Sequence, residues 1–487
     1  MGAGIGPRLL LGALGLAVGA CGEGTTSPLF PEIRLVFSVE PVTVEGNVTL
    51  VPAPQVAIQD RAGNIDRHVS TAVTLSLGAN PGGATLSGTT TVLAVAGVAT
   101  FSDVRIDRPG SGYTLVARAL SLPGEPSTPF DVHLTFFQVT VGILHSCGLT
   151  GHGFAYCWGL NDVGQLGDST HVDRLRPALV AGGGTFTELS AGGDHTCGLT
   201  PSRTALCWGS NFTGQVGDGT METREVPTPV AGGLSFVQLA AGSFHTCGLT
   251  TTNDAYCWGS NVFGALGDGT GSLRRAPVPV SGGLHFSQLS AGGVHTCGIA
   301  WGNVAYCWGW NGGGQIGDST TSTRPTPTAV HGGLPFSEIS ANPGSDVEGH
   351  TCALTTGNVA YCWGTNRNGE LGDSTITGHL VPVAVFGTLQ IAYVGAARGY
   401  GCALTSGQAL HCWGVNADGE LGDGTTSQHL TPNPVAGSLA FAQVSARFDH
   451  ACGVTVSHAA YCWGTNDHGQ LGDGTTTPRL TPTPVIQ

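Results

Sequence analysis

Residues His350–Gly372 have the sequence HTCALTTGNVAYCWGTNRNGELG, and versions of this segment occur seven times along the chain. Successive versions begin 50 residues apart, except for one step of 55 residues. Repetition at such a period is typical of propellers and solenoids, so we expect one structural module per repeat. Each version contains two cysteines ten residues apart: Cys147 and Cys157, Cys197 and Cys207, Cys247 and Cys257, Cys297 and Cys307, Cys352 and Cys362, Cys402 and Cys412, and Cys452 and Cys462.

Each module is expected to contain a β-hairpin. In the segment quoted above, two short β-prone runs lie on either side of the turn Gly357-Asn358. Folding about this turn places Cys352 opposite Cys362, and opposed residues of an antiparallel pair have Cβ atoms about 4.5–5.5 Å apart. A disulfide needs a Cβ–Cβ distance of about 3.5–4.5 Å, which a small local adjustment of the strands provides. We therefore predict one disulfide per repeat. The alternative is a zinc site with His350, but it offers three ligands and lacks the usual Cys-x-x-Cys spacing.

The repeat resembles the regulator of chromosome condensation repeat. That family combines a His-Thr strand, a Gly turn, a Tyr-x-Trp-Gly strand and an Asn-x-x-Gly-Gln-Leu-Gly loop. The matching residues of the second copy are Gly192, His195, Leu199, Trp208, Gly209, Asn211, Gly214, Gln215 and Gly217. The resemblance covers about residues 136–487 and implies an all-β fold, a seven-bladed β-propeller. The copies depart from the pattern at Tyr400 in place of His, and at Ala265, Glu370 and Glu420 in place of Gln.

The composition excludes some classes of partner. The chain has 487 residues, a net charge of -14 and 79 glycines, and all its basic residues other than histidine are arginine. An acidic chain without lysine is not expected to bind nucleic acid or to dock electrostatically on anionic lipid.

The first residues predict export. Residues 1–20 combine Arg8, the apolar run Leu9–Val18 and two small residues, which is the pattern of a secretory signal peptide. The segment Val18–Cys21 resembles a bacterial lipobox, in which the cysteine becomes lipidated. We therefore expect a protein held at the outer membrane or cell surface through lipid on Cys21, followed by a linker over residues 21–31. The alternative is an ordinary signal peptide with an incidental cysteine.

A separate β-domain is predicted for residues 32–132, which lack the repeat and contain no cysteine. About seven short strands in about 100 residues indicate an antiparallel β-sandwich. The turn Asp60–Asn64, the run Gly97–Phe101 and Pro109-Gly110 before Tyr113 resemble a bacterial immunoglobulin-like domain, and we expect it to act as a spacer. The predicted strands are Arg34–Val39, Val56–Ile58, Val73–Leu77, Val98–Phe101 and Tyr113–Ala117, with weaker candidates at Asn47–Val51 and Thr91–Val95.

Closure of the ring is predicted from its C-terminal strand. A proline-marked strand such as Pro177–Val180 precedes copies two to seven, and Pro482–Val485 has the same spacing after Asp473 that Pro177–Val180 has after Asp168. We expect Leu480–Val485 to pair into the first blade, because closure removes open sheet edges. Pro129–Val132 is expected to end the sandwich.

Two recurring residue types are candidates for a site but fit structural roles better. His145, His195, His245, His295, His350 and His450 precede the first cysteine of a pair, and Asp168, Asp218, Asp268, Asp318, Asp373, Asp423 and Asp473 follow a glycine. A catalytic site needs residues in different roles at one point, and the aspartates lack calcium-loop spacing and suit turns. Since no nucleophile or phosphate-loop motif is present, we predict no enzyme, no catalytic residue, no metal and no cofactor.

The residues that vary between copies at the His/Asn end of the strands indicate a partner site. Most of the other blades place polar residues at this end, including Arg367, Asn368, Asp418 and Asp449. An apolar arc on a loop face suggests a protein contact, although the side chains could instead tuck under loops. The insertion Asn342–Glu348 lies at the same end and is either a tolerated or a recognition loop. The predicted partner-binding residues are Phe212, Phe244, Phe263, Val294 and Trp310, with Val262 beside them.

These observations predict a non-catalytic propeller scaffold that binds a protein or glycan and contacts the membrane only through its lipid. The resemblance implies two alternatives. One is guanine-nucleotide exchange, which the namesake of the family performs on a nuclear GTPase, although export and disulfides fit another compartment. The other is inhibition of a secreted enzyme such as a β-lactamase.

Overall fold

The computed structural model describes residues 33–119, 122–344 and 349–486. Within these ranges the chain forms forty strands and no helix, so the fold is all-β as predicted. No helix that could span a membrane occurs in this part of the chain. The predicted signal peptide, Cys21, the whole of the predicted linker and residue 32 lie outside the described residues.

The first twelve strands form an N-terminal β-domain. They are β1 (Arg34–Val39), β2 (Val44–Glu45), β3 (Gln55–Gln59), β4 (Ala72–Leu77), β5 (Leu86–Ser87), β6 (Thr91–Leu93), β7 (Val98–Thr100), β8 (Arg105–Ile106), β9 (Gly110–Tyr113), β10 (Leu115–Ala119), β11 (Leu122–Pro126) and β12 (Phe130–His133). They form a seven-stranded sheet β6-β4-β10-β11-β1-β3-β7, a three-stranded sheet β2-β12-β9 and the pair β5-β8. Ile58, Phe101 and Leu115 are fully buried in the shared core.

Two details of this domain differ from the prediction. The sandwich is not purely antiparallel, because β1 pairs in parallel with β11 and β2 pairs in parallel with β12. In both cases a strand from the start of the domain lies beside one from its end. The weak candidate Asn47–Val51 forms no strand; Asn47 adopts a positive φ of 60°, which interrupts extended backbone.

The remaining strands form seven four-stranded antiparallel sheets, which we number one to seven in chain order. Sheets one to three contain β13 (Phe136–Val141), β14 (His145–Thr150), β15 (Ala155–Gly159), β16 (Arg174–Leu179); β17 (Glu188–Ala191), β18 (His195–Leu199), β19 (Ala205–Gly209), β20 (Arg224–Pro229); β21 (Phe236–Ala241), β22 (His245–Thr250), β23 (Ala255–Gly259) and β24 (Arg274–Pro279). Sheets four and five contain β25 (Phe286–Ala291), β26 (His295–Ala300), β27 (Val304–Gly309), β28 (Arg324–Ala329); β29 (Phe336–Ala341), β30 (His350–Thr355), β31 (Ala360–Gly364) and β32 (His379–Ala384). Sheets six and seven contain β33 (Ile391–Ala396), β34 (Tyr400–Thr405), β35 (Leu410–Gly414), β36 (His429–Pro434); β37 (Phe441–Arg447), β38 (His450–Thr455), β39 (Ala460–Gly464) and β40 (Arg479–Pro484).

The seven sheets form a closed ring. The first strand of each sheet contacts the first strand of the next, and β37 contacts β13. Side chains join neighbouring sheets at this inner layer: the Gln443 amide accepts a hydrogen bond from Val139 N at 2.9 Å and donates to Val139 O at 3.0 Å. The ring is therefore closed by contacts between two complete sheets.

The prediction that the C-terminal strand completes the first sheet is wrong. β40 pairs with β39 of its own sheet, with Tyr461 opposite Pro484. Every proline-marked strand follows its cysteine hairpin and lies at the edge of its sheet. Proline cannot donate to a strand ladder and is confined to such edges. The end of the chain still contributes to closure, since Val485 packs in one cluster with Trp158 of the first sheet.

One partly buried cation spans the axis of the ring. The Arg447 guanidinium, at the end of β37, donates to the carbonyls of Ala191 at 2.8 Å, Ala241 at 2.7 Å and Ala291 at 3.3 Å. These carbonyls end the first strands of sheets two, three and four. Burial lowers the pKa of Arg447 to about 10, so it keeps its charge at neutral pH. The seventh sheet is thus tied directly to three others across the axis.

Candidate partner-binding face

One end of the ring contains the residues that vary between repeats. At this end β26 begins at His295 and β27 ends at Gly309, and the other sheets are arranged in the same way. The hairpin turn next to Trp301 lies at the opposite end. We call the His/Gly end the loop face.

An apolar pocket lies on the loop face where sheets three and four meet. Phe244, Val262, Phe263 and Val294 line this cavity of about 210 Å³. The Phe263 ring packs against Trp310, with 4.8 Å between ring centroids. Four of the five predicted partner-binding residues are therefore brought together here.

The fifth predicted residue, Phe212, lies on the neighbouring loop of sheet two. Its side chain is 63% exposed, and Val262 at the pocket rim is 74% exposed. The adjacent Thr213 hydroxyl donates to the Phe244 carbonyl at 2.9 Å, which ties the two loops together. The alternative that these side chains tuck under loops applies in part to Phe244 and Phe263, which are half-buried.

Ala265 explains why a pocket forms at this position. Most other repeats have Gln there, and its side chain folds back onto the loop; Gln215, for example, accepts a hydrogen bond from Thr213 N at 2.9 Å. Ala265 has no such side chain and lines the cavity instead. The loop keeps its shape because Asn261 still accepts from Leu266 N at 3.0 Å.

A second, acidic pocket lies on the loop face over sheets five, six and seven. Its volume is about 310 Å³. The lining residues are Asn342, His350, Thr365, Asn368, Glu370, Arg398, Gly399, Val415, Ala417, Asp418, Glu420 and Asp449. Four are carboxylates, and the guanidinium of Arg398 lies 3.5 Å from Asp449. Sequence analysis placed several of these residues on the polar side of the face but did not predict that they enclose a pocket.

The two buried glutamates of this pocket occupy the Gln position of the repeat. Glu370 accepts a hydrogen bond from Asn368 N at 2.6 Å, and Glu420 accepts one from Asp418 N at 2.9 Å. They therefore reproduce the loop contact of Gln while adding a charge. Burial raises the pKa of both carboxyl groups. The substitution of Gln by Glu was the sequence signal that could have located the pocket.

Five of the six recurring histidines join neighbouring sheets through their Nε2 atoms. His245 is a representative: its Nε2 lies 2.8 Å from the Thr296 hydroxyl of the next sheet, and that hydroxyl donates to Ala265 O at 2.8 Å. Burial lowers the pKa of His245 to about 4 and that of the other five to about 3. Neutral, buried and engaged in packing, these residues have the structural role that was predicted.

His350 departs from this arrangement. Sheet six has Gly401 where Thr is found in most other sheets, so His350 Nε2 has no hydroxyl to bind and no hydrogen-bond partner. Its Nδ1 lies 3.2 Å from the Asn342 amide nitrogen. His350 is 1% exposed and lines the acidic pocket.

The aspartates of the Gly-Asp steps organise the loops. Asp268 accepts from Thr270 N at 2.9 Å and from Asn261 Nδ2 at 3.0 Å, and its second oxygen lies 2.8 Å from Arg274. Hydrogen bonds and the arginine lower the pKa of this carboxyl. These contacts account for the aspartates as loop residues.

The cysteine pairs are joined within each repeat. The seven S–S distances lie between 2.04 and 2.16 Å, and every pair joins opposed residues of the second and third strands. The disulfides join Cys147 to Cys157, Cys197 to Cys207, Cys247 to Cys257, Cys297 to Cys307, Cys352 to Cys362, Cys402 to Cys412, and Cys452 to Cys462.

These pairings leave no place for the zinc alternative. Sulfur atoms bonded to each other are not available as zinc ligands. Across the described ranges, no group of three or more His, Cys, Asp or Glu side chains is placed to hold a metal ion.

Comparison with known proteins identifies the repeat. Two family models of the regulator of chromosome condensation (RCC1) repeat match the chain. One matches residues 186–215, 236–265, 348–370 and 441–470, and the other matches residues 152–199, 204–249, 253–299 and 457–487. The chain thus contains RCC1 repeats, which confirms that prediction. No curated protein sequence matches the chain.

Solved structures with a similar fold are RCC1-like propellers. Human WBSCR16 is 18% identical, the match covers 69% of this chain and 94% of that chain, and the TM-score is 0.62. Prp20p from Saccharomyces cerevisiae, described with its binding properties to Gsp1p and histones, is 21% identical over 73% of this chain and 88% of that chain, with a TM-score of 0.59. A structure of Kap60 bound to yeast RCC1 (Prp20) matches at 19% identity over 73% of this chain and 86% of that chain, with a TM-score of 0.60. At these identities the likeness shows the fold, a β-propeller, and nothing further.

Proposed function

We propose that this chain is an exported, non-catalytic scaffold whose propeller binds a protein or glycan partner through the loop face. In this proposal residues 136–487 form a seven-bladed propeller, and residues 32–132 form an immunoglobulin-like spacer. Lipid on Cys21 holds the protein at the outer membrane or cell surface and is its only membrane contact. No cofactor and no nucleic acid are involved.

One observation supports export, and another supports an immunoglobulin-like N-terminal domain. Seven disulfides suit an oxidising compartment, because cytosolic thiols are kept reduced. In the N-terminal domain the Tyr113 hydroxyl donates to Arg108 O at 2.9 Å, five residues upstream. Such tyrosine corners are a feature of immunoglobulin-like sandwiches.

The apolar pocket between sheets three and four is the observation on which partner binding depends. Phe244, Phe263 and Val294 form a cavity at a surface that also exposes Val262. Binding energy at protein interfaces concentrates in aromatic side chains at such desolvated centres. Because the surrounding loop is held by side-chain hydrogen bonds, the pocket is preformed and a partner loses little ordering entropy.

Capture of partners from envelope fractions tests this proposal. We expect Phe263→Asp to reduce recovery of a specific partner by about tenfold or more, because a carboxylate cannot be buried without cost. Trp301→Asp is the matched control, since Trp301 is 63% exposed at the opposite end of the ring. Equal recovery with both variants would refute the proposal. A GTPase or a secreted hydrolase as the captured protein would instead favour one of the alternative functions.

A further inference from the structure

We propose that the cleft between the N-terminal domain and the propeller binds a phosphate monoester. This site is separate from the partner-binding pocket proposed above and does not depend on it. The N-terminal domain contributes Gly82, Arg108 and Pro109 to the cleft, sheet one contributes residues 173–178, and sheet seven contributes Gly474. The cavity that they enclose has a volume of about 280 Å³, room for a phosphate group and part of the molecule that bears it.

The N-terminal domain is held against sheet one by direct contacts. Glu45 accepts a hydrogen bond from the Thr135 hydroxyl at 2.9 Å and lies 2.7 Å from His152 Nδ1. Gly46 packs against Tyr156, where a Cβ atom would lie only 2.9 Å from the phenol oxygen. Tyr156 is fully buried, whereas the tyrosines at the same position of other sheets are half-buried. The cleft is therefore formed before a ligand binds, at a domain boundary where ligand sites are common.

Two guanidinium groups that line the cleft have no partner. Within the described ranges, the side chains of Arg108 and Arg176 make no hydrogen bond and no ion pair. A third arginine of the cleft, Arg174, is instead compensated by Asp168 at 2.6 Å. Two uncompensated positive charges from different domains thus share one cavity, and an anion placed between them lowers their mutual repulsion.

The nearby carboxylates are engaged elsewhere. Asp173 is the acidic residue that lines the cleft, and it accepts from Asn161 N at 2.9 Å and lies 3.1 Å from His468. Asp107, next to Arg108 in sequence, accepts from Thr85 N at 2.6 Å. The protein therefore leaves the charges of the two arginines to an external anion.

Arg176 departs from the repeat at the sheet that carries the N-terminal domain. The residues at the same position of the other sheets are Val226, Ala276, Thr326, Val381, Thr431 and Thr481. Arginine at this position is therefore no requirement of the sheet. It occurs where a second domain supplies another guanidinium to the same cavity.

Both walls of the cleft are fixed in position. The backbone of Arg108 is held by the Tyr113 hydroxyl, which donates to Arg108 O at 2.9 Å. Next to Arg176, Leu175 O accepts from Gly474 N at 2.9 Å, which joins sheet one to sheet seven. A ligand therefore meets two guanidinium groups on ordered backbone, which reduces the entropy lost on binding.

The number of arginines selects the kind of anion. A phosphate monoester has three terminal oxygens and a charge of about -1.5 to -2 at pH 7, so one group can accept from both guanidiniums. A carboxylate has one charge and two oxygens, which a single guanidinium already matches. Pro109, Leu175 and Pro177 offer apolar surface to the rest of the ligand. The net charge of -14 disfavours a polyanion, so we infer a single ester group.

Calorimetric titration of the full chain with glucose 6-phosphate, glucuronate and glucose tests this inference. We expect glucose 6-phosphate to bind at least about tenfold more tightly than glucuronate, the gain of a further charge-assisted contact, and glucose not to bind. Sedimentation with phosphatidylcholine vesicles that contain phosphatidic acid distinguishes the source of the ester. Binding of glucose 6-phosphate supports a soluble ester, and binding to these vesicles alone supports a lipid headgroup. Glucuronate binding as tight as that of glucose 6-phosphate, or no binding of either ester, overturns the proposal.

Variants locate the binding. Arg176→Thr introduces the residue found in sheets four, six and seven, and Arg108→Gln keeps the backbone contact with Tyr113, so both should fold. Each should weaken binding of the ester at least about tenfold. Arg275→Gln, which removes an exposed arginine of β24, is the matched control and should leave binding unchanged. Wild-type affinity in both cleft variants, or an equal loss in the control, overturns the proposal.

Discussion

One side chain in each repeat decides what the loop above it can do. Where it is Gln, as in Gln215, the side chain fills the space and bonds the loop backbone. Where it is Ala265, the space becomes the apolar pocket. Where it is Glu370 or Glu420, the same backbone contact remains and a buried carboxyl is added. A single position therefore separates neutral, apolar and acidic parts of one face.

A second glutamate position gives the ring a pH dependence. Glu338, at the inner layer, accepts a hydrogen bond from Val394 N, and burial raises its pKa to about 8. In the folded state this carboxyl keeps its proton up to about pH 8, whereas an unfolded chain releases it near 4.5. The contribution of the Glu338 carboxyl to the free energy of unfolding is therefore fully present below pH 4.5 and is lost as the pH rises through 8. Glu188, with a pKa raised to about 7, acts in the same direction.

We expect Glu338→Gln to remove part of this dependence. Gln occupies the same position in Gln138, which both accepts from Leu189 N and donates to Leu189 O. The wild type should lose about 1–3 kcal/mol of unfolding free energy between pH 5 and pH 9, and the variant distinctly less. Urea unfolding at both pH values measures the difference. Glu222→Gln is the control. If Glu338→Gln lost as much unfolding free energy between pH 5 and pH 9 as the wild type, this account would be contradicted.

At the level of strands, each repeat builds its sheet from one continuous segment. The cysteine hairpin supplies the two middle strands, and the proline-marked strand closes the outer edge. Proline at an edge also discourages pairing with other chains. The sheet is complete before the next repeat begins.

Deletion of β40 tests this arrangement. Removing residues 479–487 should expose β39 and speed its amide hydrogen exchange, because Cys462 loses its partner strand at Thr483. β15 of the first sheet should be less affected, since it pairs with β14 and β16. Removing only residues 486–487 is the control. Greater loss of amide protection in β15 than in β39 would instead support the predicted pairing of Leu480–Val485 with the first sheet.

Much of this level could be predicted from sequence, and the reason is local. Cys352, Cys362 and the turn between them lie within one hairpin, so their spacing determines the register. The placement of Leu480–Val485 could not be predicted from spacing. In a periodic sequence a strand between two hairpins has a fixed spacing to both, so the spacing does not show which hairpin the strand pairs with. The acidic pocket was missed because its walls come from three sheets, and because the missing hydroxyl at Gly401 matters only when His350 faces it.

At the level of the whole molecule, the ring depends on contacts across its axis as well as around it. Neighbouring sheets are joined through histidines and inner-layer amides, such as Gln443 with Val139. Arg447 adds bonds from the seventh sheet to the carbonyls of Ala191, Ala241 and Ala291. Distant sheets are therefore coupled by one guanidinium.

Replacement of Arg447 should destabilise the entire ring. Arg447→Met keeps most of the side-chain volume but leaves three buried carbonyls without their donor, and we expect a loss of about 3–5 kcal/mol. Urea unfolding measures it. Arg275→Met, at an exposed position of β24, is the matched control and should be close to neutral. A loss for Arg447→Met no larger than that of the control would show that the axial contacts are dispensable.

The self-contained sheets have a consequence for how such a chain can change over generations. Because neither the first nor the last repeat lends a strand to the other, duplication or loss of a gene segment encoding one period inserts or removes a finished sheet. No existing strand needs a new neighbour within its own sheet. The number of copies is then limited by how many sheets fit around one axis. It is also limited by whether the arginine of the last sheet can still reach the three distant carbonyls that it bonds.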